Sequence, residues 1–94
     1  MSNVRIMRLV KMLVVHCKRE QFDVYIGRPG FWGNPFVIGK DGNRAEVIAK
    51  YRRWLMERPD RIERAKRELR GKVLGCFCAP LACHGDVLAE VANG

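Results

Sequence analysis

The chain has 94 residues, of which 48% are hydrophobic and 30% are charged, and its formal net charge is +8. This length predicts one domain, 1–94, and the composition argues against intrinsic disorder. No apolar run approaches the roughly 20 residues that a membrane helix needs. The basic, apolar start lacks a cleavage site, and Lys11 interrupts it, so we reject a signal peptide and expect a cytoplasmic protein with reduced cysteines.

The first third of the chain predicts two strands and a loop. Residues 9–16 and 22–27 are rich in β-branched and other apolar side chains, which favour strands. The sequence GRPGFWGNPF at 27–36 is dense in Gly, Pro and Asn and predicts an irregular loop.

The middle of the chain predicts two amphipathic helices. Asn43 can cap the first helix, which ends at Arg58–Pro59. Asp60 starts the second helix, and Gly71 stops it. Apolar residues at helical spacing mark the buried stripes: Val47, Ile48, Tyr51, Trp54 and Leu55 in the first helix, and Ile62, Ala65 and Leu69 in the second.

The last third predicts a buried strand at 72–78 and a helix at 84–92. The resulting order, β-β-loop-α-α-β-α, indicates an α/β fold: a small mixed or parallel sheet with packed helices and strand 72–78 at its centre. Ligands of such sheets bind beyond the carboxyl ends of the strands. The loop 27–36 and the turn 78–84 should therefore face each other across one pocket.

The segment CFCAPLACHGD, residues 76–86, carries the candidate catalytic groups. Cys78 and Cys83 offer thiols next to a helix start, where the helix dipole favours a thiolate. His84 can act as acid or base, and Asp86 can orient it or cap the helix. The alternative is that the cysteines are small core residues, an interpretation that suits Cys76 best.

The same segment can also be interpreted as a metal site. Cys76, Cys78, Cys83 and His84 offer four ligands that suit zinc. Cys76 and Cys78 on one strand, followed by an adjacent Cys83–His84 pair, fit a tetrahedron badly. We therefore expect no metal and no cofactor, with zinc as the alternative.

Arginine provides the candidate ligand-binding charge. The guanidinium of Arg28 binds phosphate or carboxylate with a planar fork, and the neighbouring glycines let the backbone approach a ligand. Trp32 and Asn34 in the same loop, and Arg44 at a helix start, complete this set. Trp32 can instead be a core residue, which is the safer interpretation of a tryptophan in such a loop.

Residues 44–72 hold eleven Lys and Arg against five acids, and a basic helical face of this kind often contacts phosphate. A solvated surface with i,i+4 ion pairs is the simpler interpretation. The candidate nucleic-acid contacts are Arg52, Arg53, Arg64 and Arg67.

Two long motifs carry a family resemblance. VYIGR with WGNPF, then Arg44 at a helix start, then LRGKVLGCFCAPLACHGDVLAE resemble the phage and bacterial domain of unknown function 4326. The resemblance covers about residues 12–92 and leaves residues 1–8 as an N-terminal extension. The family label asserts no activity. The resemblance implies one cluster of residues: Arg28, Asn34, Arg44, Cys78, Cys83, His84 and Asp86.

These observations favour a small domain that binds an anionic, nucleotide-like ligand in the pocket between 27–36 and 78–84. The catalytic interpretation adds processing of that ligand. The alternatives are a non-catalytic nucleic-acid-binding module that uses the basic helices 44–70, and a phage protein that binds a host protein. We expect no membrane partner.

Overall fold

The computed structural model describes residues 13–94 and contains a three-stranded parallel sheet. The strands are β1 (Val14–His16), β2 (Val24–Tyr25) and β3 (Leu74–Cys76), in the spatial order β1-β3-β2. The α/β class and the central position of the third strand are thereby confirmed. The predicted N-terminal extension, 1–8, and the first part of the predicted strand 9–16 lie outside the described residues.

The register places β3 between its two neighbours. Leu74 pairs with Val14 on one side and with Val24 on the other. All three residues of β3 are buried, as expected of a strand with neighbours on both sides. The strand is shorter than the predicted 72–78, because the chain turns after Cys76: the Leu81 N–H donates to the Cys78 carbonyl at 2.8 Å.

The structure has three helices: α1 (Arg44–Met56), α2 (Pro59–Glu68) and α3 (His84–Asn93). Of these, α3 contacts the sheet, and α1 and α2 pack against α3 and each other. Asn43 caps α1 as predicted, and Pro59 occupies the first turn of α2, where its missing N–H costs nothing. Of the predicted stripe, Val47, Tyr51 and Leu55 are buried, whereas Ile48 and Trp54 are half-buried.

Helix α3 is the centre of the packing. It contacts α1, α2, β1 and β3. Most of its residues are buried, among them Val87, Leu88 and Val91. Within residues 13–94, no helix combines the length and the apolar character that a membrane crossing requires.

The sheet topology brings two connections together. Because β2 and β3 are parallel neighbours, their carboxyl ends open at the same edge of the sheet. The loop 27–36 follows β2, and the turn 78–84 leads from β3 into α3. The start of α1 closes the third side of this edge, since Arg44 there contacts the turn.

Candidate functional site

A cleft of about 210 Å³ lies at this edge of the sheet. Residues from the loop 27–36, the start of α1 and the turn 78–84 line it. It includes six of the residues that the sequence marked as catalytic or ligand-binding candidates: Arg28, Asn34, Arg44, Cys78, Cys83 and His84. Cys76, the last residue of β3, lines it as well.

Two arginines from different segments of the chain bring positive charge to the cleft. Arg28 is exposed in the loop, and Arg44 is the half-buried first residue of α1. The Arg44 Nη1 atom donates to the Ala82 carbonyl at 2.9 Å and so ties α1 to the turn. A guanidinium has five N–H donors, so this contact leaves most of the Arg44 fork available.

Asn34 shapes the loop from within. Its Oδ1 atom accepts the Phe36 N–H at 2.9 Å, and its Nδ2 atom donates to the Val47 carbonyl at 3.4 Å. The side chain is buried. Both ends of the side-chain amide thus form hydrogen bonds with backbone groups, and Asn34 thereby fixes this wall of the cleft.

Aromatic rings form another wall. Tyr25, Phe36 and Phe77 line the cleft, and the Tyr25 and Phe77 rings meet edge to face at 6.2 Å. The Tyr25 hydroxyl donates to the Arg28 carbonyl at 3.0 Å. Phe77 is 55% exposed, so its ring presents an apolar surface beside the charged groups.

His84 is a buried, neutral imidazole at the start of α3. Its Nε2 atom donates to the Ile26 carbonyl at 2.7 Å, and its ring meets the Tyr51 ring at 5.1 Å. Burial lowers the pKa of His84, and the charge of Arg28 lowers it further, against the opposing effect of the Ile26 and Trp32 carbonyls. The contacts with Ile26 and Tyr51 fix the ring, and burial favours its uncharged form.

Three thiols form a cluster at the cleft. The Sγ atoms of Cys76, Cys78 and Cys83 all lie within 4.8 Å of one another. The Cys76 and Cys83 sulfurs are 3.3 Å apart. Cys76 and Cys83 are buried and Cys78 is half-buried, whereas Cys17 lies outside this cluster.

The cluster separates the pKa values of two thiols. The hydrogen bond between Cys76 and Cys83 lowers the pKa of Cys76 to about 6, helped by the amides of Cys78 and Ala79 and opposed by burial. The bond to Cys76 and burial raise the pKa of Cys83 well above its usual range. The contact between the two sulfurs therefore makes Cys76 the more acidic thiol of the pair and Cys83 the less acidic one.

Cys76 is the residue that sequence reasoning undervalued. Its position in a predicted buried strand favoured a core role for Cys76. The predicted catalytic residues included only two cysteines, Cys78 and Cys83. The available signal was the short Cys76–Cys78 spacing followed by Pro80, which indicates that the chain turns there and directs its amides back towards the first sulfur.

The start of α3 caps itself with its own side chains. The Cys83 N–H donates to Asp86 Oδ2 at 3.1 Å, and the Gly85 N–H donates to Cys83 Sγ at 3.3 Å. Asp86 therefore serves as a helix cap and does not line the cleft. These two amides are occupied, which leaves Arg28 and Arg44 as the positive groups of the site.

Trp32 lies in the core and does not line the cleft. It is 4% exposed, and its ring meets Phe31 edge to face at 4.8 Å. The Trp32 carbonyl accepts the Tyr51 hydroxyl at 3.4 Å. The structure thus matches the alternative interpretation of Trp32 as a core residue.

The four arginines of the nucleic-acid alternative lie on α1 and α2, away from the cleft. Arg52 pairs with Glu90 and Arg64 pairs with Glu68, each at 2.8 Å. Arg64 also lies over the Phe31 ring at 4.1 Å. Arg53 and Arg67 are exposed. Two of the four charges are thus partly balanced by acids.

Comparison with known proteins shows a match over nearly all the described residues. The family model described as Domain of unknown function (DUF4326) matches residues 14–94. The chain is also similar to the "Uncharacterized 12.4 kDa protein in nrdA-td intergenic region" of Enterobacteria phage T4. The two are 42% identical over 84 residues, which cover 85% of this chain and 76% of the phage protein. No solved structure matches the chain.

Proposed function

Because the chain belongs to the family described as Domain of unknown function (DUF4326), whose description assigns no activity, we propose a function from the geometry of the cleft. The protein binds a small anionic, nucleotide-like ligand between the loop 27–36 and the turn 78–84. The observation that carries this proposal is the convergence of Arg28 and Arg44 on one cleft at the carboxyl edge of a parallel sheet.

The charge of the cleft supports an anion. Two arginines line it, and among the described residues that line it none is acidic. Guanidinium groups bind phosphate and carboxylate through paired N–H donors, which adds geometric specificity to the charge. His84 is held neutral and contributes shape rather than charge.

The size and the aromatic wall favour a compact ligand with a ring. A volume of about 210 Å³ lies below the roughly 300–1,000 Å³ of pockets that enclose drug-sized ligands. We expect the anionic part of the ligand inside the cleft and its ring against Phe77 and Tyr25 at the rim. Stacking of a base on an aromatic side chain contributes about 1–3 kcal/mol.

Arg28→Ala tests the proposal. A hydrogen bond to a charged group contributes about 1.5–3 kcal/mol, so we expect binding to weaken about tenfold to a hundredfold. The measurement is calorimetric titration with inorganic phosphate and with adenosine monophosphate. The melting temperature should stay near that of the wild type, because Arg28 is exposed.

Arg53→Ala is the matched control, because Arg53 is also an exposed arginine but lies on α1 away from the cleft. It should leave nucleotide binding unchanged. Equal loss in both variants, or a wild type that binds neither probe, would contradict the proposal. Salt-dependent binding of oligonucleotides that Arg53→Ala weakens and Arg28→Ala does not would support the basic helices as a nucleic-acid surface instead.

A further inference from the structure

We propose that Cys76, Cys78 and Cys83 bind one zinc ion at the cleft and leave its fourth coordination position open to the ligand. The metal site goes beyond the proposed function and does not depend on it. Contact between the metal and the anionic ligand rests on the proposed function.

The sulfur positions carry the proposal. Zinc–sulfur bonds of about 2.3 Å at a tetrahedral angle place two sulfurs about 3.8 Å apart. The Cys76 and Cys83 sulfurs are 3.3 Å apart, and all three pairs lie within 4.8 Å. The first separation is about 0.5 Å below the tetrahedral value, and no pair exceeds it by more than about 1 Å, so the three sulfurs lie close to the arrangement that one zinc ion requires.

The position of Cys78 removes the main argument against zinc. The sequence placed Cys76 and Cys78 together on a strand, where their side chains would be fixed in line. In the structure β3 ends at Cys76, and Cys78 lies in the turn that follows. The turn brings the Cys78 sulfur back towards that of Cys76.

His84 is not one of the ligands. Its Nε2 atom is committed to the Ile26 carbonyl at 2.7 Å, and the described cluster of potential ligands contains the three cysteines without it. The adjacency of Cys83 and His84, which counted against a four-ligand site, therefore places no constraint on a three-thiolate site.

Charge and hydrogen bonds around the sulfurs are compatible with thiolates. Three thiolates and one Zn²⁺ ion have a net charge of about −1, and Arg28 and Arg44 line the same cleft. The Gly85 N–H donates to Cys83 Sγ at 3.3 Å. Hydrogen bonds of this kind orient metal ligands and tune the metal.

The open fourth coordination position follows from the location of the cysteines at the cleft. All three cysteines line the cleft, so a metal held by them faces the cavity. Three protein ligands with one open position are typical of zinc that binds a water molecule or a substrate group. An anionic oxygen of the ligand, held by the two arginines, would reach that position.

Zinc titration of the full-length chain tests the site. The apoprotein, prepared with a chelator and reductant, is titrated with Zn²⁺ against a competing chelator and then analysed for zinc per chain. We expect one zinc per chain. Alkylation mapped by mass spectrometry should show that zinc protects Cys78, because Cys78 is half-buried and accessible to the reagent without metal.

Two variants make the comparison specific. Cys78→Ala should weaken zinc binding by more than the roughly 10–100-fold that loss of a partner outside the coordination sphere costs. Cys17→Ala removes a half-buried cysteine outside the cluster and should bind zinc like the wild type. Co²⁺ should give a thiolate charge-transfer band in the wild type and in Cys17→Ala.

Absence of stoichiometric zinc together with unprotected Cys78 in the folded wild type overturns the proposal. Equal zinc loss in Cys17→Ala and Cys78→Ala does so as well. Phosphate titrations with and without zinc separate the two proposals. Zinc binding without anion binding retains the metal site and rejects the proposed function. Arg28-dependent anion binding by a protein that binds no zinc retains the proposed function and rejects the metal site.

Discussion

Gly85, the second residue of α3, allows close packing of the helix against Ile26, Val14 and Cys83. A Cβ atom at this position would lie 2.7 Å from Ile26 Cδ1, 3.0 Å from Val14 Cγ1 and 3.2 Å from Cys83 Sγ. The helix therefore approaches β1, the end of β2 and the thiol cluster more closely than any residue with a side chain would allow. This approach places His84 within reach of the Ile26 carbonyl.

We predict that Gly85→Ala destabilises the protein, although alanine is the better helix former. The propensity gain is about 1 kcal/mol, whereas overpacking a core costs about 1–3 kcal/mol. Ile26 is fully buried and has little space into which it can move. Thermal melting should show a lower melting temperature, by about 4–8 °C for each kcal/mol lost.

Lys66→Ala, on the exposed surface of α2, is the control and should change stability by less than about 0.5 kcal/mol. A Gly85→Ala variant that melts at or above the wild-type temperature would show that the packing around α3 is looser than these distances indicate.

Polar residues of the two motifs turn out to have different roles. Asn34 and Asp86 bind backbone amides and hold the loop and the helix start, while Arg28 and Arg44 present charge to the cleft. A motif shows that a polar residue belongs to a site. Its hydrogen-bond partners decide whether it supports the site or faces the ligand.

Helix α1 begins with a capping box formed by Asn43 and Glu46. The Glu46 N–H donates to Asn43 Oδ1, and the Asn43 N–H donates to Glu46 Oε1, both at 2.9 Å. This capping box fixes the first turn of α1, and its first residue is Arg44. The cap thereby holds the arginine that contacts the turn 78–84.

We predict that Asn43→Ala lowers the free energy of unfolding by about 1 kcal/mol, through loss of the side-chain acceptor. Asn43→Asp keeps an acceptor and adds a charge that the helix dipole favours, so it should melt near the wild-type temperature. Thermal melts of the three proteins provide the test. Equal destabilisation by Ala and Asp would mean that the cap contributes nothing through its acceptor.

The molecule as a whole is organised around α3, which packs against two strands and both other helices. Leu88 lies in this helix and is fully buried, as are Tyr51 and Leu55 of α1. A chain of this size has a total stability of only about 5–15 kcal/mol. One large core side chain therefore accounts for a substantial share of it.

We predict that Leu88→Ala lowers the free energy of unfolding by about 2–5 kcal/mol, since it leaves a cavity between the layers. Urea unfolding should show a lower midpoint with an unchanged slope. Leu81→Ala is the matched control, because Leu81 is 60% exposed in the turn 78–84, and it should change stability by less than about 0.5 kcal/mol. Similar losses in both variants would contradict this assignment of the core.

Local patterns in the sequence predicted the order of the elements and the two connections that line the cleft, although the strands are shorter than predicted. Helical spacing identified Val47, Tyr51 and Leu55, and Asn43 marked the start of α1. The strand and helix order implied that the loop 27–36 and the turn 78–84 follow parallel neighbours. These features depend on periodicity and turn chemistry, which act over a few residues.

Only the tertiary structure decided how the cysteines meet. The end of β3 at Cys76, the turn through Cys78 and the close approach of α3 at Gly85 together bring three sulfurs within 4.8 Å. The same packing commits His84 to the Ile26 carbonyl and buries Trp32. Side-chain direction at a strand end depends on where the chain leaves the sheet, and contacts between distant segments set that point.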